Sequence, residues 1–92
     1  VKNVFVAYDI RDDKRRNRLF KMLEGYGVAV QLSVFECVIK VDDLMRLAYR
    51  VQRIINHEED SVLMMELCPR CHGRVRKLGR TREAHGGMTV IV

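Results

Sequence analysis

Val4-Phe5-Val6-Ala7-Tyr8-Asp9, followed at once by Ile10-Arg11-Asp12-Asp13-Lys14-Arg15-Arg16-Asn17-Arg18, decides how this chain is read. The unbroken apolar run, rich in β-branched and aromatic residues, predicts a strand buried on both faces and therefore central in its sheet. That strand ends on a carboxylate facing a cluster of cations. A lone carboxylate holds Mg²⁺ poorly, but it does so well together with waters and phosphate oxygens, and guanidinium groups neutralise the remaining phosphate charge. The juxtaposition points to phosphate chemistry at Asp9.

Downstream of the strand, Asp12 is a good N-cap for a helix running to about Tyr26. Leu19, Phe20 and Leu23 give it an apolar face, while Arg11, Lys14, Arg15 and Arg18 form a basic stripe on another, and Gly25 and Gly27 are expected to stop it. Two short apolar runs, Val28 to Leu32 and Val34 to Lys40, meet around Ser33 with too few residues between them for a crossover, so they are expected to pair as a hairpin. Asp42 is placed to cap a second helix, in which Leu44, Leu47, Ala48, Val51 and Ile55 keep core spacing and Arg46, Arg50 and Arg53 point outward. The polar segment Asn56 to Asp60 closes that helix, and Ser61 to Cys68 reads as another buried strand.

Strand, helix, strand, strand, helix, strand is the split βαβ, ferredoxin-like order of the α+β class, with both helices on one face of the sheet. The ferredoxin-like domain is expected over residues 1–80, with a C-terminal tail over 81–92. Val75 to Leu78 and Thr89 to Val92 are short strand candidates, the latter placed to pair with a second subunit. Because the strands are apolar on both faces, the sheet face away from the helices also needs cover. Sheet-to-sheet pairing of two copies, a symmetric homodimer, is the simplest way to provide it.

Composition agrees with that reading. The 92 residues make one domain near the lower size at which a single core suffices, which favours self-association. The formal charge of +5 is unevenly spread, with six Lys/Arg in residues 11–21 and six more in 70–82. Clustered cations on a small protein favour a polyanion such as RNA or double-stranded DNA. No apolar stretch approaches the roughly 18 residues of a membrane span, and a cytoplasmic protein with no membrane partner is expected.

At the strand end, Asp9 and its symmetry mate in a two-fold dimer are placed to face one divalent metal, Mg²⁺ being the natural choice, across the interface. Arg16 shares the inward helix face with Leu19, Phe20 and Leu23, so its guanidinium needs an anion, either Asp9 or a bound phosphate. The plainer alternatives are that Asp9 is a loop acid or an extra cap, that Arg16 snorkels to solvent, and that the outer cations form a solvated helix face. Convergence at one place, not any single residue, favours the functional reading.

Val6-Ala7-Tyr8-Asp9-Ile10, Arg16-Asn17-Arg18, Tyr26-Gly27, Gln31-Leu32-Ser33-Val34-Phe35-Glu36-Cys37 and Glu59-Asp60-Ser61-Val62 closely resemble, in this order, segments of the CRISPR-associated protein 2 family. These are the small adaptation proteins that partner the CRISPR integrase. The resemblance implies a ferredoxin-like homodimer, a divalent metal at the strand-end aspartate, endonuclease activity on RNA or DNA, and a bridging role in capturing new spacers. It makes Asp9 the catalytic residue and metal ligand, with Tyr8, Arg16, Arg18 and Phe35 in support. Where some members carry an arginine two residues before the Gln, this chain has Ala29.

Two functions therefore stand side by side. One is metal-assisted phosphodiester hydrolysis, in which Arg16 or Arg18 steadies the developing charge. The other is a non-catalytic dimer that holds nucleic acid through Arg11, Lys14, Arg15, Arg16 and Arg18 and bridges integrase subunits without needing Asp9. Sequence alone does not separate them.

Cys68-Pro69-Arg70-Cys71-His72 matches the haem-attachment pattern, but no export signal or helical cradle accompanies it. A redox pair should open a helix, and a structural zinc needs four ligands where this motif supplies two or three. A tight turn punctuated by Pro69 and Gly73 is the simpler expectation, and Cys37 is expected to be packed inside its strand.

Overall fold

The strand that ends on Asp9 lies inside the sheet, as its unbroken apolar run requires. The computed structural model describes residues 1–68, 70, 74–76, 78 and 79. Its elements are β1 (Lys2–Asp9), α1 (Asp13–Glu24), β2 (Gly27–Gln31), β3 (Val34–Ile39), α2 (Val41–Ile54) and β4 (Ser61–Leu67). They form one sheet in the order β2-β3-β1-β4, with every neighbouring pair antiparallel. This is the ferredoxin-like arrangement that the element order predicts.

Residues of β1 alternate across the sheet. Val4, Val6 and Tyr8 are buried, and the register sets Val4 opposite Cys37 and Val6 opposite Phe35 of β3. These side chains meet Leu19, Met22 and Leu23 of α1 and Leu47 and Val51 of α2 in a single core. The opposite set, Phe5 and Ala7, is only half-buried and pairs with Met65 and Leu63 of β4, which are exposed in the single chain. Ser61 to Leu67 is thus a strand as expected, but an edge strand with an alternating profile and not a buried one. Among the described residues, nothing covers its apolar residues on the face away from the helices.

The ends of the elements adjust several expectations. Asp12 does cap α1, its carboxylate accepting from the Arg15 N–H at 2.9 Å, but the helix stops at Glu24 with Gly25 as C-cap instead of reaching Tyr26. Gly27 is required by close packing: a Cβ there would run into the Glu36 carbonyl oxygen and lie 2.8 Å from the Cys37 sulfur. Asp42 is not the cap of α2. Lys40 occupies that position without a side-chain cap bond, and Asp42 and Asp43 sit in the first turn, where their charges favour the positive end of the helix dipole. Phe20, expected in the core, is 37% exposed and leans edge-on against Phe35 at 5.2 Å between ring centres.

The hairpin turns at Leu32 and Ser33, with Ser33 in the left-handed region at φ 65°, and a bulge near Val30 interrupts the β2–β3 register. Cys37 is fully buried, and burial with help from the neighbouring Glu36 charge pushes its thiol up to about 11, so it packs as an inert apolar group. Val75, Arg76 and Leu78 lie in no strand; Val75 and Leu78 are three positions apart, so the two-residue alternation of a strand would send them to opposite faces. The expected tail strand Thr89 to Val92, and Pro69, Cys71 and His72 of the cysteine motif, lie outside the described residues. Among the described residues no helix is long and apolar enough to cross a membrane.

Candidate nucleic-acid interface

The last pleat of β1 sends its two terminal side chains to opposite faces. Tyr8 turns under α1, 8% exposed, with its ring 6.4 Å from that of Phe35, while its backbone N–H donates to the Ser33 carbonyl at 3.0 Å. Burial raises the Tyr8 hydroxyl above its ordinary value, with Arg16 pulling the other way, so the phenol stays neutral. Asp9 is exposed and shares the parity of Phe5 and Ala7, the face left open by the helices. It stands opposite Ser61 in the β1–β4 ladder, and its carboxylate makes no hydrogen bond or ion pair among the described residues.

Arg16 does not reach Asp9. Its guanidinium donates to the Ile10 carbonyl at 3.0 Å and the Arg11 carbonyl at 3.4 Å, and it pairs with the Asp13 carboxylate. The inward guanidinium does find partners, but they are the carbonyls of the loop that joins β1 to α1. Arg16 therefore holds this loop in place next to Asp9.

Arg15 also leaves the basic stripe. It grips the Asp60 carboxylate at 2.8 Å and 3.2 Å and reaches Glu59 at 3.4 Å. Asp60 in turn accepts from the Asn56 N–H at 2.8 Å, while the Asn56 side chain accepts from the N–H groups of Glu58 and Glu59. The bond from Arg15, reinforced by that backbone N–H, holds the Asp60 carboxyl below its ordinary value. The clasp ties the start of α1 to the loop entering β4, one residue before Ser61 meets Asp9. In the sequence Asp60 stands in a helix-closing polar run and in the Glu59-Asp60-Ser61-Val62 segment of the family resemblance, and neither pairs it with Arg15. The available signal was Asn56 four residues earlier, a spacing at which an Asn side chain organises a turn.

What remains of the stripe is Arg11, Lys14 and Arg18. All three are exposed, and their side chains make no ion pair among the described residues. Phe35 is fully buried beneath Tyr8 and Phe20, so it supports the site from inside the core. Among the described residues, the exposed Asp9 carboxylate at the end of β1 and the exposed cations of the following loop and helix make no ion pairs, and these are groups suited to engaging a phosphodiester backbone. No group of three metal-ligating side chains exists among the described residues, so one chain brings a single carboxylate to any metal at this place.

The family model of CRISPR associated protein Cas2 matches residues 2–75. The chain belongs to the Cas2 family. A Geobacter sulfurreducens protein named CRISPR-associated endoribonuclease Cas2 is 37% identical over 89 residues, covering 95% of this chain and 94% of the relative. Among solved structures, Streptococcus pyogenes Cas2 superposes with a TM-score of 0.75 at 32% identity, covering 84% of this chain and 99% of that one. A chain of a partial Cas6-RT-Cas1–Cas2 complex superposes with a TM-score of 0.66 at 37% identity, over 75% of this chain and 81% of that one. The match to the Cas2 family covers all six elements described above.

Proposed function

We propose that this Cas2-family chain is a homodimeric endonuclease that hydrolyses phosphodiester bonds of RNA or DNA and acts with a Cas1-type integrase in capturing new CRISPR spacers. The observation that carries the chemistry is Asp9: exposed, without a partner among the described residues, and on the open sheet face together with Leu63 and Met65. Pairing two copies through that face covers the exposed apolar residues and brings the two Asp9 carboxylates toward one another. The names of the relatives support nuclease activity, and the Cas1–Cas2 complex supports the integrase as partner.

The donor set fits a hard divalent cation such as Mg²⁺, which takes one or two carboxylates and completes its shell with waters and phosphate oxygens. Asp9 from each protomer would hold it, and when bound it supplies charge neutralisation at the phosphate and a more acidic water. The chain's own residues do the positioning. Arg11, Lys14 and Arg18 hold the backbone, Arg16 fixes the loop behind them, and the Arg15–Asp60 clasp fixes the strand end on the other side.

Cleavage of labelled single-stranded RNA and double-stranded DNA, with and without Mg²⁺, tests the reading in the parent protein and in Asp9→Asn. The variant is expected to fold and bind normally while losing at least about a hundred-fold in cleavage, the scale of a lost group that stabilises transition-state charge. Full activity in Asp9→Asn would refute the site. The second reading is a non-catalytic bridge on DNA. It is favoured by the unpaired cations, which bind phosphate without needing Asp9, and it predicts equal binding and no cleavage by both proteins.

A further inference from the structure

On the opposite side of β1 from Asp9 lies an open groove of about 540 Å³, bounded by α1 and the β2–β3 hairpin. Tyr8, Phe20 and Ala29 supply its apolar and aromatic part, and Arg16, Asn17 and Gln31 its polar part. Phe20 is the aromatic ring that departs from the core, 37% exposed and braced edge-on by Phe35. Asn17 and Gln31 are exposed, and their side-chain amides make no hydrogen bond among the described residues. Ala29 stands opposite Phe35 in the β2–β3 register, and its small methyl group leaves the floor open.

We infer that this groove receives one unpaired nucleobase of the nucleic-acid strand whose phosphate lies at the Asp9 end of β1, an inference that rests on the function proposed above. The chemistry of the lining is that of base recognition. Aromatic rings stack on any base face, and primary amides, each both donor and acceptor, pair with base edges. Placement agrees: Tyr8 and Asp9 are adjacent, with Cα atoms about 3.8 Å apart and side chains on opposite faces. A nucleotide rounding the strand end can present its phosphate to one face and its base to the other. Arg16 lines the groove, held by the Ile10 and Arg11 carbonyls and by the Asp13 carboxylate, and Lys14 and Arg18 of the same helix make no ion pair among the described residues, so the cationic helix favours an anionic ligand over a neutral peptide. The substrate is thereby narrowed to single strands, frayed ends or flipped bases, since a fully paired duplex keeps its bases stacked.

The test is binding of a fluorescent ten-nucleotide single strand and of the same sugar-phosphate backbone without bases, to the full-length protein. The intact strand is expected to bind roughly ten-fold tighter or better, the usual scale for one stacked base. Ala29→Leu fills the groove and is expected to bring the ratio close to one while leaving affinity for the base-free backbone unchanged. Gln31→Ala, at an exposed position where folding is not at risk, is expected to lower the ratio part of the way. A ratio near one in the wild type, or an undiminished ratio in both variants, overturns the base site. A wild type that holds neither strand overturns the nucleic-acid reading and the groove with it; one that holds both equally overturns the groove alone.

Discussion

At the scale of single residues, the division of labour among neighbouring arginines is what the sequence concealed. Arg15 and Arg16 are adjacent and chemically identical, yet one clasps Asp60 across 45 positions of sequence and the other bonds the carbonyls of its own loop. The helical screw turns them about 100° apart, so they meet different surroundings. The clasp has a pH signature. The Asp60 carboxyl lies below its ordinary value of about 4 in the folded chain, so its contribution to stability is present above that ordinary value and is lost as pH falls through the depressed one. Arg15→Ala is therefore expected to lower the melting temperature at pH 7. The gap to the wild type should narrow on acidification below about pH 4, as thermal melts at pH 7 and pH 3 would show. A gap that persists unchanged in acid would mean that Arg15 acts through packing and not through this pair.

At the scale of elements, boundaries depended on contacts that one segment's pattern does not contain. The spacing of apolar residues found α1, α2 and the hairpin, because those elements bury one face and expose the other. It misassigned the cap of α2, since both Asp42 and Lys40 precede the apolar spacing closely enough and only the backbone path decides between them. Gly27 reads as a helix stop in sequence, but its place is set by the approach of β3. Gly27→Ala is expected to destabilise the fold by about 1–3 kcal/mol, as overpacking of a close approach does, seen as a lower urea midpoint with an unchanged slope. An unchanged midpoint would show that β2 can shift to make room.

At the scale of the whole molecule, the sheet face away from the helices carries apolar residues that none of the described residues covers. Leu63 is 64% exposed and Met65 45% exposed, on the same face as Phe5 and Ala7, although a strand of a finished sheet would hide such residues. In the dimer reading they form the centre of the interface, with Asp9 at its end. Met65→Asp places a charge there, so sedimentation at micromolar concentration is expected to show a dimer for the wild type and a monomer for the variant, with the far-ultraviolet spectrum unchanged. A wild-type monomer would remove the interface and with it the pairing of the two Asp9 carboxylates.

The α+β class, the element order, the interior place of β1 and the carboxylate at its end follow from local hydrophobic period and from where an apolar run stops. The family resemblance was equally legible, carried by short segments in a set order. The different surroundings of Tyr8 and Asp9 on opposite faces, the pairing of Arg15 with Asp60, and the place of Phe20 in a groove instead of the core emerge from the folded chain. The physical reason is range. Periodicity reports what one segment must bury, whereas ion pairs, grooves and uncovered faces arise where segments distant in sequence meet, and side chains of the same type are then assigned different partners.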